Sequence, residues 1–180
     1  MVFSQGPQGK PFLSQPSQNP PLLFNLSHTQ HFALYAFSRN REVGIDLEYV
    51  HRKLSYQSLI KRICSEHEQA VIAPLPLPEQ QPTLLACWTR KEAYVKATGK
   101  GLSFPLQDIT VTLPPTTPTA LLNVSGHDQE PLRWTMHDIQ VDRDHVAALV
   151  VEGQDWEPAY WEWSWTKEAT DQHHRHTSYS

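Results

Sequence analysis

The chain has 180 residues, 39% of them apolar and 19% charged, which is typical of a globular protein large enough to bury a core. Its formal net charge of −4 gives it no overall basic field, so the composition argues against binding to nucleic acid or to an anionic membrane surface. No apolar stretch approaches the ~20 residues of a membrane span, and no charged start followed by an apolar run predicts a secretion signal.

The first part of the sequence consists of a polar segment followed by short apolar runs. Residues 1–21 are rich in Pro, Gln, Ser and Gly, so we predict an extended segment that buries little. Apolar runs and alternating apolar and polar residues then predict three strands, at residues 22–26, 32–37 and 43–49.

Two helical stretches are predicted after these strands. The first covers residues 55–73, with a break near Cys64–Ser65, and the prolines that follow are expected to interrupt it. The second covers residues 83–98, where apolar side chains recur on one side and Gly99 is expected to end the helix.

Three more strands are predicted in the C-terminal half, over residues 108–113, 132–141 and 145–151. The order of strands, helices and then strands favours an α+β fold with a largely antiparallel sheet and helices packed on one face. The polar, His-rich tail at residues 166–180 is predicted to be disordered.

The cysteines and the C-terminal tryptophans are expected to serve packing. Cys64 and Cys87 lie in apolar segments without metal-ligand spacing, so we expect reduced core thiols, which favours a cytoplasmic protein. Four tryptophans near the C-terminus are expected to pack against the domain: Trp156, Trp161, Trp163 and Trp165.

The segment Gly44-Ile45-Asp46-Leu47-Glu48 places two acidic residues on a predicted strand. Because side chains alternate along a strand, Ile45 and Leu47 can enter the core while Asp46 and Glu48 share the other face. Two carboxylates on one face repel each other unless a cation or solvent separates them, and Mg²⁺ favours one or two protein carboxylates with waters and phosphate oxygens. Read alone, the segment is more simply explained as a solvated strand face.

The segment WTRKEAYVK at residues 88–96 places two charged residues on the second predicted helix. Glu92 and Lys96 are four residues apart and therefore neighbours on the flank of the apolar side, with Trp88 as an anchor. Glu92 is a candidate third metal ligand or proton acceptor, and Lys96 is a candidate partner for a phosphate. The alternative is an ordinary Glu–Lys surface pair.

Two further segments carry weaker signals. Ser27 and His28 lie at the end of the first predicted strand, just after residue 26, where a hydroxyl and an imidazole suit a phosphate, although a turn with a surface histidine is the simpler alternative. Gly9-Lys10-Pro11 lies in the polar N-terminal segment and carries little information on its own.

Taken in order, these four segments resemble the long, two-lobed (surfactin-synthetase-activating) class of 4′-phosphopantetheinyl transferases. That class carries G-K-P, then F-N-x-S-H, then G-[IV]-D-x-E, and further along the chain W-x-x-K-E-[AS]-x-x-K followed by a G-K-G-type turn. The matching segments here are Gly9–Pro11, Phe24–His28, Gly44–Glu48, Trp88–Lys96 and Gly99–Gly101. The resemblance covers roughly residues 6–113 and continues more weakly through residues 145–151.

The resemblance implies the C-terminal lobe of the two-lobed fold and a Mg²⁺-dependent enzyme. Such an enzyme moves 4′-phosphopantetheine from coenzyme A to a serine of an acyl or peptidyl carrier protein and releases 3′,5′-ADP. By resemblance, Asp46, Glu48 and Glu92 would hold Mg²⁺, or Mn²⁺ in its place. Glu92, or a water it orients, would accept the serine proton, and Lys96 would act with it as a catalytic residue.

The resemblance also implies a set of contacts with coenzyme A. Ser27 and His28 would contact its phosphates, and Lys96 would pair with its pyrophosphate. Lys10 and Pro11 would lie along its nucleotide end.

One departure from the class concerns the N-terminal lobe. Members of the class have a complete lobe before the G-K-P segment, whereas Met1 stands eight residues before Gly9 here. We therefore expect residues 1–21 to be the remnant of an inter-lobe linker and residues 22–165 to form the C-terminal lobe. A truncated chain and a homodimer, in which a second copy replaces the missing lobe, are both compatible with this departure.

Two other functions use the same motifs. A non-catalytic remnant would still bind a carrier protein but would not fix coenzyme A, and the missing lobe favours this alternative. An unrelated Mg²⁺-dependent nucleotide hydrolase is disfavoured because the ordered set of segments matches one family.

Overall fold

A computed structural model describes residues 2–14, 19–29, 31–53, 55–101, 103–115 and 118–163. Its N-terminal part contains the strands β1 (Phe3–Gln5), β2 (Pro11–Leu13), β3 (Leu22–Thr29), β4 (Phe32–Arg39) and β5 (Val43–Tyr49). The helices α1 (Tyr56–Ile63), α2 (Glu66–Ile72) and α3 (Leu77–Thr98) follow. After a 3₁₀ turn at Leu106–Asp108 come β6 (Ile109–Val111), β7 (Leu121–Val124), α4 (Glu130–Arg133), β8 (Trp134–Ile139) and β9 (His145–Glu152).

The central sheet is antiparallel and has the strand order β5-β9-β8. β1 pairs with β2, β3 with β4, and β6 with β7, each pair being antiparallel as well. Helix α3 packs on one face of the central sheet, against β5 and β9, and β4 contacts β5. The predicted α+β fold, with antiparallel strands and helices on one face, is confirmed.

Apolar side chains fill both faces of the central sheet. The larger core lies between α3 and the sheet, where Leu84 and Tyr94 of the helix belong to one cluster with Ala148 and Val150 of β9. A smaller core on the other face contains five buried residues: Ala36, Val43, Ile45, Leu149 and Val151. Because β5 is buried on both faces, any polar group on it requires a partner inside the protein.

Helix α3 is longer than the sequence predicted. It begins at Leu77 instead of residue 83, so the expectation that the prolines interrupt helical structure is wrong for part of this stretch. Pro76 precedes the helix and Pro78 lies in its first turn, where a backbone N–H has no helical partner to lose. Pro82 lies inside the helix and is exposed.

Short elements account for the other differences. Part of the segment predicted to be merely extended pairs as β1 and β2, and β7 was not predicted. α4 occupies the start of the strand predicted at residues 132–141, and β8 begins only at Trp134. The predicted break near Cys64–Ser65 is confirmed, because α1 ends at Ile63 and α2 begins at Glu66.

The C-terminal tryptophans follow the prediction only in part. Trp156 packs against the smaller core as expected, whereas Trp161 and Trp163 are exposed. Trp165 and the predicted tail at residues 166–180 lie outside the described residues. Within the described ranges, no helix combines the length and the apolar character needed to cross a membrane.

Gly44 allows α3 to approach β5 closely. A Cβ atom at this position would lie 2.1 Å from the carbonyl oxygen of Ala93 and 2.3 Å from the backbone nitrogen of Ala97. These are backbone atoms of a helix, so they cannot move aside as the end of a flexible side chain can. The close contact between strand and helix therefore depends on glycine at position 44.

A fully buried ion pair fixes α3 on its other side. Lys91 Nζ lies 2.5 Å from Glu68 Oε2 and also donates to the carbonyls of Ile63 (2.8 Å) and Leu106 (3.0 Å). Glu68 Oε1 accepts from the backbone N–H of Val111 at 2.9 Å. All three ammonium donors are used, so Lys91 links α3 to the end of α1, to α2 and to the segment before β6.

We predict that Gly44→Ala destabilises the protein by about 1–3 kcal/mol or more, because the added methyl group overpacks the contact between β5 and α3. The free energy of unfolding from urea titration measures this effect. Gly6→Ala is the control, since a Cβ there would meet its nearest atom, the carbonyl oxygen of Lys10, at an ordinary 3.6 Å. Equal stability of the two variants would contradict the role assigned to Gly44.

Candidate active site

β5 and α3 run in opposite directions and contact each other along their lengths. Asp46 pairs with Lys96 near the end of α3, whereas Gln81 near its start donates to the carbonyl that follows β5. A strand rises about 3.3 Å per residue and a helix about 1.5 Å, so two strand residues span about the same distance as four helix residues. The spacing of Asp46 and Glu48 therefore matches that of Lys96 and Glu92.

Asp46 is the most constrained carboxylate of this interface. Its side chain is buried, with 6% of the residue exposed, and Oδ1 accepts from Lys96 Nζ at 2.7 Å and from Ser27 Oγ at 3.0 Å. Oδ2 is also buried and has no hydrogen-bond partner among the described residues. A buried carboxylate oxygen without a partner is costly, so this atom is suited to an added cation or donor.

Side chains of β3 satisfy the free edge of β5. Asn25 Oδ1 accepts from the backbone N–H of Ile45 at 3.0 Å, and Ser27 Oγ accepts from that of Leu47 at 3.2 Å. Ser27 also accepts from Lys96 and donates to Asp46. A hydroxyl has one donor and two acceptor positions, so Ser27 has used all of them.

Ser27 and His28 lie on opposite faces of β3. Ser27 is buried against β5, whereas His28 is exposed on the side of the hairpin that faces away from β5. The predicted joint contact of these two residues with phosphate therefore requires a ligand that reaches both sides of the strand end.

Glu48 is partly buried and forms a close ion pair with Arg52. Burial raises the pKa of Glu48 above its ordinary value of 4.5 and the nearby charge of Asp46 raises it further, although Arg52 and Lys96 act in the opposite direction. Because burial is the largest cause of the rise in pKa, ionised Glu48 is less favourable in the folded protein than in water.

Glu92 is influenced by burial and by the same neighbouring charges as Glu48. Burial raises its pKa above 4.5, the charges of Asp46 and Glu48 raise it too, and Lys96 lowers it. Asp46, Glu48 and Glu92 are thus close enough to interact, and Lys96 lies among them. This arrangement, with the unpartnered Oδ2 of Asp46, fits a divalent cation shared by the three carboxylates.

The three carboxylates are not already gathered as a ligand set. Within the described residues, the group whose ligand atoms all lie within 4.8 Å of one another is Cys64, Glu68 and Cys87. Glu68 is already paired with the ammonium of Lys91, and burial raises the pKa of the Cys87 thiol, so this group is better explained as packing. At least one of the carboxylates of Asp46, Glu48 and Glu92 would have to move for all three to share one ion.

Lys10 and Pro11 line a cavity of about 330 Å³ together with Asn25, Glu92 and Lys96. A neighbouring cavity of about 550 Å³ also borders Lys10 and Pro11 and extends along β3 towards α4. The structure therefore brings the residues predicted from the G-K-P segment to the same cavity as the charged residues of α3.

Lys10 is held at the end of α3. Its ammonium lies 2.6 Å from Glu42 Oε2 and donates to the carbonyl of Ala97 at 2.8 Å. A cation at a helix C-terminus is favourable, so Lys10 stabilises the helix end in addition to lining the cavity.

Three polar residues of this region did not appear among the predicted site residues. Asn25 lies within the F-N-x-S-H segment, and Arg52 follows Glu48 by four residues, so both were visible in the sequence. Lys91 belongs to the W-x-x-K-E segment, but its complete burial depends on Glu68, which lies in another helix.

A model of the 4′-phosphopantetheinyl transferase superfamily matches residues 42–150. The chain is 38% identical over 159 residues to the 4′-phosphopantetheinyl transferase HetI of Nostoc sp., covering 88% of this chain and 64% of that protein. It is 32% identical over 111 residues to the 4′-phosphopantetheinyl transferase Sfp of Bacillus subtilis, covering 62% of this chain and 47% of that protein. The chain therefore spans less than two thirds of the length of these curated relatives.

The fold is similar to that of the holo-[acyl-carrier-protein] synthase (AcpS) of Neisseria meningitidis. The TM-score is 0.50 at 19% sequence identity, and the match covers 63% of this chain and 98% of that one. At this level of identity the similarity concerns the fold alone.

We predict that Glu92→Gln raises the free energy of unfolding at pH 7.5 in the presence of a chelator. Between 4.5, the ordinary pKa of a glutamate, and the raised pKa of Glu92, the folded state binds more protons than the unfolded state, so stability falls as pH rises through this window. Glutamine removes that loss, so its advantage over the parent should shrink as the pH is lowered towards 4.5.

Urea titrations at several pH values measure the effect of Glu92→Gln. The matched control is Glu157→Gln, which removes an exposed carboxylate remote from these side chains in the sequence. The assignment would be contradicted by a Glu92→Gln variant whose stability follows that of the parent at every pH.

Proposed function

The chain belongs to the 4′-phosphopantetheinyl transferase superfamily, and from this we propose that it transfers 4′-phosphopantetheine from coenzyme A to a serine of an acyl or peptidyl carrier protein. The reaction is proposed to depend on Mg²⁺ and to release 3′,5′-ADP.

The observation that best supports this proposal is the environment of Asp46. Its Oδ2 is buried without a partner, beside Lys96 and within the field of Glu48 and Glu92. A folded protein keeps such a costly arrangement where function requires it. Phosphoryl transfer requires charge neutralisation and positioning more than covalent help from the protein.

Asp46, Glu48 and Glu92 are the proposed metal ligands. Mg²⁺, or Mn²⁺ in its place, would when bound neutralise the diphosphate of coenzyme A and hold it in position. Asp46 and Glu48 each have an oxygen to offer, since the cations Lys96 and Arg52 engage one oxygen of each.

Glu92 is the proposed proton acceptor. The carrier serine hydroxyl would attack the β-phosphorus of coenzyme A, a new Oγ–P bond would form, and the bond from the β-phosphorus to the bridging oxygen would break. Glu92, directly or through a water, would take the serine proton, and 3′,5′-ADP would leave with the bridging oxygen. Burial raises the pKa of Glu92 in the metal-free protein, and a bound cation would act in the opposite direction.

Lys96 is proposed to pair with the diphosphate. It currently neutralises Asp46, so a cation bound to the carboxylates would release its ammonium for the phosphate oxygens. Ser27 and His28 are proposed to contact phosphates at the end of β3. To do so, Ser27 would replace one of its present hydrogen bonds with one to a phosphate oxygen. Lys10 and Pro11 are proposed to lie along the nucleotide, because they line the cavity that contains Lys96.

We predict that the chain adds the mass of phosphopantetheine to an apo carrier protein in the presence of coenzyme A and Mg²⁺. Asp46→Asn should lower kcat/KM by about 100-fold or more, which corresponds to roughly 2.7 kcal/mol. Mass spectrometry of apo carriers from fatty-acid, polyketide and nonribosomal peptide synthesis measures the transfer, and Asp128→Asn is the control for an exposed carboxylate.

The same assay separates this function from the alternative of a carrier-binding protein without activity. Binding of a carrier without any mass increase, in every carrier tested, would favour the alternative and contradict the proposed transfer. This alternative is worth testing because the chain spans only 64% of the length of HetI and 47% of that of Sfp.

An aromatic row on the outer face of the β3–β4 hairpin is a second proposed functional surface. Tyr35 and Phe37 of β4 are stacked and are 60% and 64% exposed, and contacts from Phe37 to Phe24 and from Phe24 to Phe3 extend the row. An exposed apolar surface of this kind favours association. We propose that a second copy of the chain covers this surface, which would be the interface of the expected homodimer.

Static light scattering tests this association. The parent should form a dimer at micromolar concentration, and Phe37→Ser should shift it to a monomer by removing apolar contact area. Leu77→Ser is the control, because Leu77 is also an exposed apolar residue but lies at the start of α3. A monomeric parent would overturn the proposed homodimer.

A further inference from the structure

Arg52, which follows β5, is held from three directions. Its guanidinium pairs with Glu48 Oε2 and lies 4.8 Å from the centre of the Trp88 ring. Its carbonyl accepts from Gln81 Nε2 at 3.2 Å, and the same amide donates to the carbonyl of Val50 at 2.8 Å. Both the backbone and the side chain of Arg52 are therefore fixed to α3.

The residues that hold Arg52 share a face of α3 with the proposed proton acceptor. Gln81 and Trp88 are seven residues apart, and Trp88 and Glu92 are four apart, which are the spacings of one helix face. The helix face that orients Glu92 therefore also orients Arg52.

Arg52 restricts how Glu48 can turn. Its guanidinium binds Oε2 of the carboxylate, and no hydrogen bond from the rest of the described chain reaches Oε1. The side chain of Glu48 is largely buried, with 15% exposed, so few other rotamers are open to it. The carboxylate is held by one oxygen and leaves the other for a further partner.

We infer that Arg52 is a positioning residue for the metal site: it fixes Glu48 through Oε2 so that Oε1 remains available to a divalent cation shared with Asp46 and Glu92. This inference rests on the proposed function, because it takes these carboxylates as the ligands. Hydrogen bonds to ligating carboxylates orient them, and their loss typically lowers metal affinity by about 10–100-fold.

The direction of the effect separates positioning from simple electrostatics. Arg52 is a cation, so if it acted only through its charge, its removal would strengthen the binding of a divalent cation. If it acts by orienting Glu48, its removal weakens binding despite the loss of repulsion. Lysine keeps the charge but cannot reproduce the planar contact with Trp88, so Arg52→Lys should restore only part of the affinity.

The test is the affinity of the full chain for Mn²⁺ alone, without coenzyme A or carrier protein, measured by the loss of the free Mn²⁺ electron paramagnetic resonance signal. Arg52→Ala should raise the Kd about tenfold or more, and Arg52→Lys should give an intermediate value. Arg39→Ala is the charge-matched control, because Arg39 is exposed at the opposite end of the β3–β4 hairpin from Ser27. Circular dichroism confirms that each variant is folded.

A double-mutant cycle identifies the residue through which Arg52 acts. In a Glu48→Gln background, Arg52→Ala should have little further effect on the Kd, because the carboxylate that it positions is gone. An additive effect in that background, or an unchanged or lower Kd in Arg52→Ala alone, overturns the inference and leaves the proposed function intact. Absence of Mn²⁺ binding by the parent overturns both the metal site and the inference.

Discussion

The close contact between β5 and α3 at Gly44 is the constraint on which the site depends. The backbone of the helix lies where a side chain at position 44 would be, so this contact sets the distance between the backbones of β5 and α3. The buried pair of Lys91 and Glu68 fixes the rotation of the same helix from the opposite side. With distance and rotation both set, the charged faces of β5 and α3 must meet.

The polar network follows from the burial that this contact imposes. Asp46 is enclosed between the helix and β3, so its carboxylate needs Lys96 and Ser27 as partners. Asn25 and Ser27 in turn satisfy backbone N–H groups of β5 that are not paired by any other strand of the described residues. Burial raises the pKa values of Glu48 and Glu92, so ionising these groups in the folded protein costs stability, and a bound cation would offset that cost.

The sequence was sufficient for features that follow from local periodicity. Alternation along a strand placed Asp46 and Glu48 on one face, and the four-residue spacing placed Glu92 and Lys96 together on the helix. Both predictions agree with the arrangement of β5 and α3. The assignment of these residues as metal ligands and catalytic groups stays a prediction.

Features that depend on distant partners could not be read from the sequence. The complete burial of Lys91 runs against the usual exposure of lysine and is explained only by Glu68 in another helix. The fixed position of Arg52 depends on Gln81 and Trp88 of α3. The sequence does not predict the start of α3 at Leu77, because prolines usually break helices but are tolerated in the first turn.

The central claim is that the contact between β5 and α3 assembles Asp46, Glu48 and Glu92 into one metal site. Anomalous diffraction from a crystal of the full chain soaked in Mn²⁺ tests it most directly. The account predicts one strong anomalous peak in direct contact with oxygen atoms of all three carboxylates. A peak at Cys64, Glu68 and Cys87, or one that contacts only one or two of the three carboxylates, would contradict it.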